Sequence, residues 1–104
     1  ITQVLDQHAS LIQNKKIQAD IRIYPNPAGN ATKVFLIGTA ESSRVHIWIQ
    51  DMDGIIVDEE DYTSLSGEGH TLNLKSIHSG NYHLYALLDG SVLLKTKLQV
   101  LKNE

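Results

Sequence analysis

From Asp20 to the end of the chain, apolar residues recur at every second position, and turn-forming residues interrupt them every eight to twelve positions. A period of two puts alternate side chains on one face of a strand, and repeated short strands of this kind restrict the chain to an all-β sandwich or barrel. Seven strands are predicted, over residues 20–24, 31–37, 44–50, 55–60, 70–74, 81–88 and 91–100. Val45, Ile47 and Ile49 alternate with Arg44, His46, Trp48 and Gln50, and Asp53-Gly54 supplies hairpin turn chemistry before Ile55-Ile56-Val57. Tyr82, Leu84, Ala86 and Leu88 share a face, Asp89-Gly90 turns the chain, and Val92, Leu94, Leu98 and Val100 share a face on the return. Seven antiparallel strands in so short a stretch are too few for a ligand-holding barrel, and no alternating helices support a parallel sheet. The predicted fold is a seven-stranded antiparallel immunoglobulin-like β-sandwich with a short N-terminal helix, and the chain has no cysteine pair of the antibody type.

The N-terminal stretch obeys a different rule. Ile1, Val4, Leu5, His8, Leu11 and Ile12 recur at spacings of three and four, the period of an amphipathic helix, which ends in Gln13-Asn14-Lys15-Lys16. Residues 1–19 are therefore read as a helical linker or the end of a preceding domain, and residues 20–104 as the sandwich. The chain starts Ile1-Thr2-Gln3 and its only methionine is Met52, so either a removed targeting segment or, preferably, a larger protein is expected upstream.

Composition removes whole classes of function. With 9 Lys+Arg against 12 Asp+Glu the net charge is −3, and no basic field suits nucleic acid. The longest apolar run, Leu84 to Leu88, is far short of the ~20 residues of a membrane-spanning helix. Without cysteine there is no thiol nucleophile. The serines sit in loops, outside any nucleophile elbow, and Gly67-Glu68-Gly69 precedes a strand rather than a helix, so it is no phosphate loop. No enzyme active site, cofactor or metal is expected.

Two clusters need weighing. Asp51, Asp53, Asp58, Glu59, Glu60 and Asp61 crowd into one segment, and Asp51-x-Asp53-Gly54 resembles the opening of a calcium loop but lacks its later ligands. A hairpin turn beside a solvated acidic strand is the preferred reading. If strand 44–50 neighbours strand 81–88, then His46 and Trp48 lie beside His83 and Tyr85 on an outer face. That patch is either a contact surface for a partner or, preferably, a set of strand-forming residues on a pleated surface.

The residue pattern carries a family resemblance. Ile23-Tyr24-Pro25-Asn26-Pro27-Ala28, then Val45-x-Ile47-x-Ile49-x-Asp51-x-x-Gly54, then Leu74-x-x-Ile77-x-x-Gly80-x-Tyr82-x-Leu84, then Lys97-Leu98-x-Val100, resembles the C-terminal sorting domain (type A) of the type IX (Por) secretion system over residues 21–101. Such domains are C-terminal sandwiches on exported proteins of certain Gram-negative bacteria. The resemblance implies a non-catalytic secretion signal. Its partners would be a covalently linked N-terminal cargo, the outer-membrane translocon and a sortase that removes the domain and attaches the cargo at the cell surface. It also implies passage through the periplasm to the outer membrane surface or extracellular space, with a cleavage junction within or near residues 13–20.

Residue by residue, Tyr24, Pro25, Asn26, Pro27, Gly54, Gly80 and Tyr82 occupy family motif positions. The prolines are expected to protect the first edge strand, Gly54 and Gly80 to supply turn conformations, and Tyr82 to pack in the core with its hydroxyl at the sheet margin. Lys95, Lys97, Leu98, Val100 and Leu101 are the expected translocon-recognition stretch. Alternation points Lys97 to solvent near Lys95 and Lys102, forming a basic stripe. Lys102-Asn103-Glu104 extend past the usual last strand residue. The competing reading is an immunoglobulin-like accessory module that binds a carbohydrate or protein through an exposed face.

Overall fold

A computed structural model describes residues 19–39 and 41–102. The expected helix over residues 1–16 and most of the expected junction lie outside the described residues. Seven strands form: β1 (Asp20–Tyr24), β2 (Ala31–Ile37), β3 (Ser42–Gln50), β4 (Ile56–Leu65), β5 (His70–Asn73), β6 (Gly80–Leu88) and β7 (Val92–Val100). They make two antiparallel sheets, one of order β1-β2-β5 and one of order β4-β3-β6-β7. The inner faces supply the core: Ile21, Val34 and Leu36 from the first sheet meet Val45, Ile47, Ile49, Leu84, Ala86, Leu88, Leu98 and Val100 from the second. Two sheets packed over alternating apolar residues, with β3, β6 and β7 adjacent, constitute the immunoglobulin-like arrangement.

Every expected strand is present, and β4 departs furthest from its expected end. It continues to Leu65 because Ser64 stays buried on the inner face and the whole strand pairs with β3 from Ser42↔Leu65 to Gln50↔Ile56. Cross-strand pairing holds this charged strand in place where its own apolar pattern is weak.

The β3–β4 and β6–β7 hairpins follow their turn chemistry. Gly54 has φ 85°, and the Asp51 carboxylate accepts from the backbone N–H groups of Asp53 at 2.9 Å and Ile55 at 3.0 Å, so this acid holds a turn. Asp89 and Gly90 both have positive φ (49° and 73°), which the primed turns of tight hairpins need. Asp89 is also bound to Arg44 through N–H to O at 2.7 Å and Oδ1 to N at 2.9 Å, which ties the β6–β7 turn to β3. Gly80 differs from expectation. It begins β6 opposite Val100 without a positive φ, and a Cβ there would meet the Tyr82 ring at an ordinary 3.6 Å.

Candidate functional site: the C-terminal strand and the outer sheet face

The motif Tyr24-Pro25-Asn26-Pro27-Ala28 carries the chain from the end of β1 in one sheet to the edge of β7 in the other. There Asn26 acts as a piece of substitute backbone. Its Nδ2 donates to the Lys97 carbonyl at 3.0 Å, and its Oδ1 accepts from the Gln99 N–H at 3.0 Å. Ala28 continues the ladder: its N–H donates to the Gln99 carbonyl at 2.8 Å and its carbonyl accepts from Leu101 N–H at 2.8 Å, in a parallel bridge to Val100. Ala28 is 1% exposed, so this crossing is part of the core. Pro25 contributes a carbonyl that accepts from the buried Thr32 hydroxyl at 2.7 Å. The prolines follow the edge strand β1, and the segment they frame also clips the last strand. The partners are 71 and 73 residues away, a separation that no local pattern reveals.

The expected recognition residues divide by burial. Lys95, Lys97 and Leu101 are exposed, whereas Leu98 and Val100 are 1% and 0% exposed and belong to the core. Lys102 does not extend the basic stripe. Its Nζ turns back to the carbonyls of Leu74 at 2.6 Å and Lys75 at 3.1 Å, two neighbouring loop acceptors that one cation bridges, the first of which also accepts from the Ile77 N–H at 3.0 Å.

Gly80-x-Tyr82 builds a second support for the same end. The half-buried Tyr82 ring packs against the core, and its hydroxyl donates to the His78 carbonyl at 2.7 Å, four residues back. This is the tyrosine-corner arrangement of immunoglobulin-like domains, which pins the loop entering β6. A groove of about 460 Å³ opens beside these supports, with Asn26, Met52, Asn81, His83, Lys97 and Gln99 on its walls.

The four-stranded sheet presents an ordered outer face. Trp48 pairs with Tyr85 across β3 and β6, and their rings stack at 5.1 Å with 10° between planes. His46 lies 5.4 Å from Trp48, His83 lies 6.4 Å from Tyr85, and the Lys95 ammonium sits 5.6 Å from the Tyr85 ring centre. The anticipated grouping of His46, Trp48, His83 and Tyr85 is therefore contiguous.

Charge runs across this face from strand to strand. On β4, Glu59 and Asp61 flank His46, with Nε2 to Glu59 at 3.2 Å and Nδ1 hydrogen-bonded to Asp61. The Asp61 hydrogen bond above all, with the nearby Glu59 charge, raises the His46 pKa, since both ring nitrogens can donate only in the imidazolium form. On β7, at the opposite edge, stand Lys95 and Lys97. Aromatic and imidazole rings occupy the middle. Across the open side of the sandwich, His70 of β5 reaches Glu60 of β4 at 3.0 Å and stacks on Tyr62 at 3.6 Å between ring centres.

An immunoglobulin-like sandwich whose last strand is clipped by a Pro-Asn-Pro crossing and backed by a tyrosine corner is a small β-module with its C-terminal end built into the fold. The family model of the secretion system C-terminal sorting domain matches residues 22–100, and the chain belongs to that family. It is thus a C-terminal sorting signal of type IX secretion. Its family is non-catalytic in general, and membership implies an N-terminally fused cargo and export to the cell surface or extracellular space. No curated protein matches the chain. Among solved structures it is similar to the CARDB domain of the PF1109 protein from Pyrococcus furiosus, solved with di-metal ions, at 16% identity and a TM-score of 0.46, over 81% of this chain and 88% of that one.

Proposed function

We propose that the folded domain carries its cargo through the periplasm to the outer-membrane type IX translocon, which reads the end of β7 on the exposed side chains of Lys95, Lys97 and Leu101. Leu98 and Val100 act as anchors that fix the strand from the core side. The observation that carries this reading is the Asn26 and Ala28 clip on Lys97, Gln99 and Leu101, which links the family's N-terminal motif directly to its C-terminal one. A motif pair joined in this way makes a readable end conditional on a folded domain. After passage, a sortase removes the domain near residues 13–20 and joins the cargo to a surface anchor.

Deleting residues 97–104 is a poor test, because it also removes two core side chains. The discriminating variant is K95E/K97E, which reverses two exposed charges and leaves the core intact. Export of a fused cargo is expected to fall at least tenfold while thermal stability stays within a few degrees of the parent. Undiminished export of the double variant contradicts the assignment to β7.

A second contact reading draws on the contiguous His46, Trp48, His83 and Tyr85 patch, with a protein partner docking on the outer face. It requires Trp48→Ala to weaken export or partner capture beyond any loss of stability.

A further inference from the structure

The clip on β7 covers only half of its edge. In β7 the groups that reach the clip belong to odd-numbered residues: the Lys97 carbonyl, and both the N–H and the carbonyl of Gln99. The β6–β7 register is unbroken from Gly80↔Val100 to Leu88↔Val92, so the alternation holds along the strand. The N–H and carbonyl groups of Leu93 and Lys95, and the Lys97 N–H, therefore point outward along the same edge. β7 is the last strand of its sheet, and among the described residues these groups have no backbone partner.

The side chains beside this open stretch define what fits. On the outer face stand Leu93, Lys95 and Lys97, at every second position and all exposed. On the inner side Val92 and Leu94 are only partly buried, packed on the rim of the core. A strand laid along β7 would place alternate side chains beside the lysines and the others over Val92 and Leu94. Charge and burial together select acidic residues at the first set and apolar residues at the second. Edge lysines also discourage pairing with neutral or basic strands, so the same two side chains filter the occupant.

We infer that the open edge of β7 at Leu93–Lys97 is a β-augmentation site for an extended partner segment that alternates acidic and apolar residues. The added strand prolongs the ladder that Asn26 and Ala28 already make on the lower half. Main-chain hydrogen bonds supply the attachment, and the lysine pair sets the preference. This inference rests on the reading of β7 as the recognised strand and specifies the chemistry of its partner.

The test uses the full 104-residue chain and three blocked peptides: Thr-Glu-Val-Glu-Val-Glu-Thr, the same peptide with Lys for each Glu, and the Glu peptide N-methylated at alternate residues. Backbone amide NMR is expected to show saturable shifts at Leu93, Lys95 and Lys97 with the first peptide. Binding should be at least tenfold weaker for the lysine peptide and lost for the N-methylated one, and K95E/K97E should reverse the preference between the Glu and Lys peptides. The inference is overturned if the acidic peptide leaves these amides unmoved or if the N-methylated peptide binds equally well. It is also overturned if the three amides are already protected from exchange in the free chain, since the edge would then be filled by the chain itself. Loss of export in K95E/K97E without any peptide binding would leave the recognition reading standing and remove this one.

Discussion

The carboxamide of Asn26 hydrogen-bonds at once to the carbonyl of Lys97 and the N–H of Gln99, 3.0 Å each, so a side chain near the start of the sandwich completes the strand at its end. Each such bond contributes about 1 kcal/mol net. Asn26→Ala is expected to lower stability by roughly 1–2 kcal/mol, measured by urea unfolding, and to speed amide exchange at Gln99. Asn26→Asp keeps the acceptor but loses the donor to Lys97, and should give nearly the same loss. Unchanged Gln99 exchange in both variants would show that Ala28 holds the strand alone.

The Tyr82 hydroxyl donates a single bond of 2.7 Å to the His78 carbonyl beside the core. Tyr82→Phe retains the ring packing and should cost about 1 kcal/mol. Tyr82→Ala removes the ring as well and should cost several times as much, roughly 3–5 kcal/mol for a large core side chain, somewhat less for one half-buried. Equal losses for the two variants would mean that the corner contributes through its hydrogen bond and not through packing.

Tyr62 is the mirror case. Its hydroxyl is buried without a hydrogen-bond partner among the described residues, and burial, with the nearby Glu60 charge, pushes its pKa up to about 12. The folded state therefore favours the neutral phenol. The associated stability is fully present below the ordinary tyrosine value of about 10 and is lost as pH climbs from there towards 12. Tyr62→Phe should match or exceed the parent in stability at pH 7, by up to about 1 kcal/mol, and should flatten the alkaline loss between pH 10 and 12. A clearly destabilised phenylalanine variant would show that the hydroxyl has a partner.

His46 gives a pH dependence of the same sign in a different window. Its folded pKa is raised by Asp61 and Glu59, so its contribution is complete below the ordinary histidine value of about 6.5 and fades as pH rises through the folded value. The site is at the surface, so the effect is small and screened by salt. NMR titration should place the His46 midpoint above that of His46 in an E59Q/D61N variant. Coincident midpoints would remove the paired-carboxylate account.

Much of this fold was legible because alternation, prolines and Asp-Gly turns are local signals. The β6–β7 hairpin, with Val92, Leu94, Leu98 and Val100 on one face, needed nothing else. The acidic strand extends past its local signal because Asp58-Glu59-Glu60-Asp61 carries no apolar alternation, and only its pairing with β3 carries it on to Leu65. The outer patch could be anticipated once β3 and β6 were set side by side, since register then places Trp48 against Tyr85. Contacts between distant segments lay beyond local reading. Nothing around Asn26 announces Lys97, nothing around Lys102 announces the Leu74 carbonyl, and His70 meets Glu60 only because the two sheets are folded against each other.

The central claim, that this domain is sufficient as a type IX signal, is tested most directly by transplanting it. Residues 13–104 are fused behind a periplasmic reporter in a type IX-competent host, and surface-accessible reporter is measured beside the same fusion carrying K95E/K97E. The account predicts reporter at the cell surface or in the medium with the parent domain, and reporter held in the periplasm with the double variant. A folded parent domain whose reporter never leaves the periplasm would contradict it.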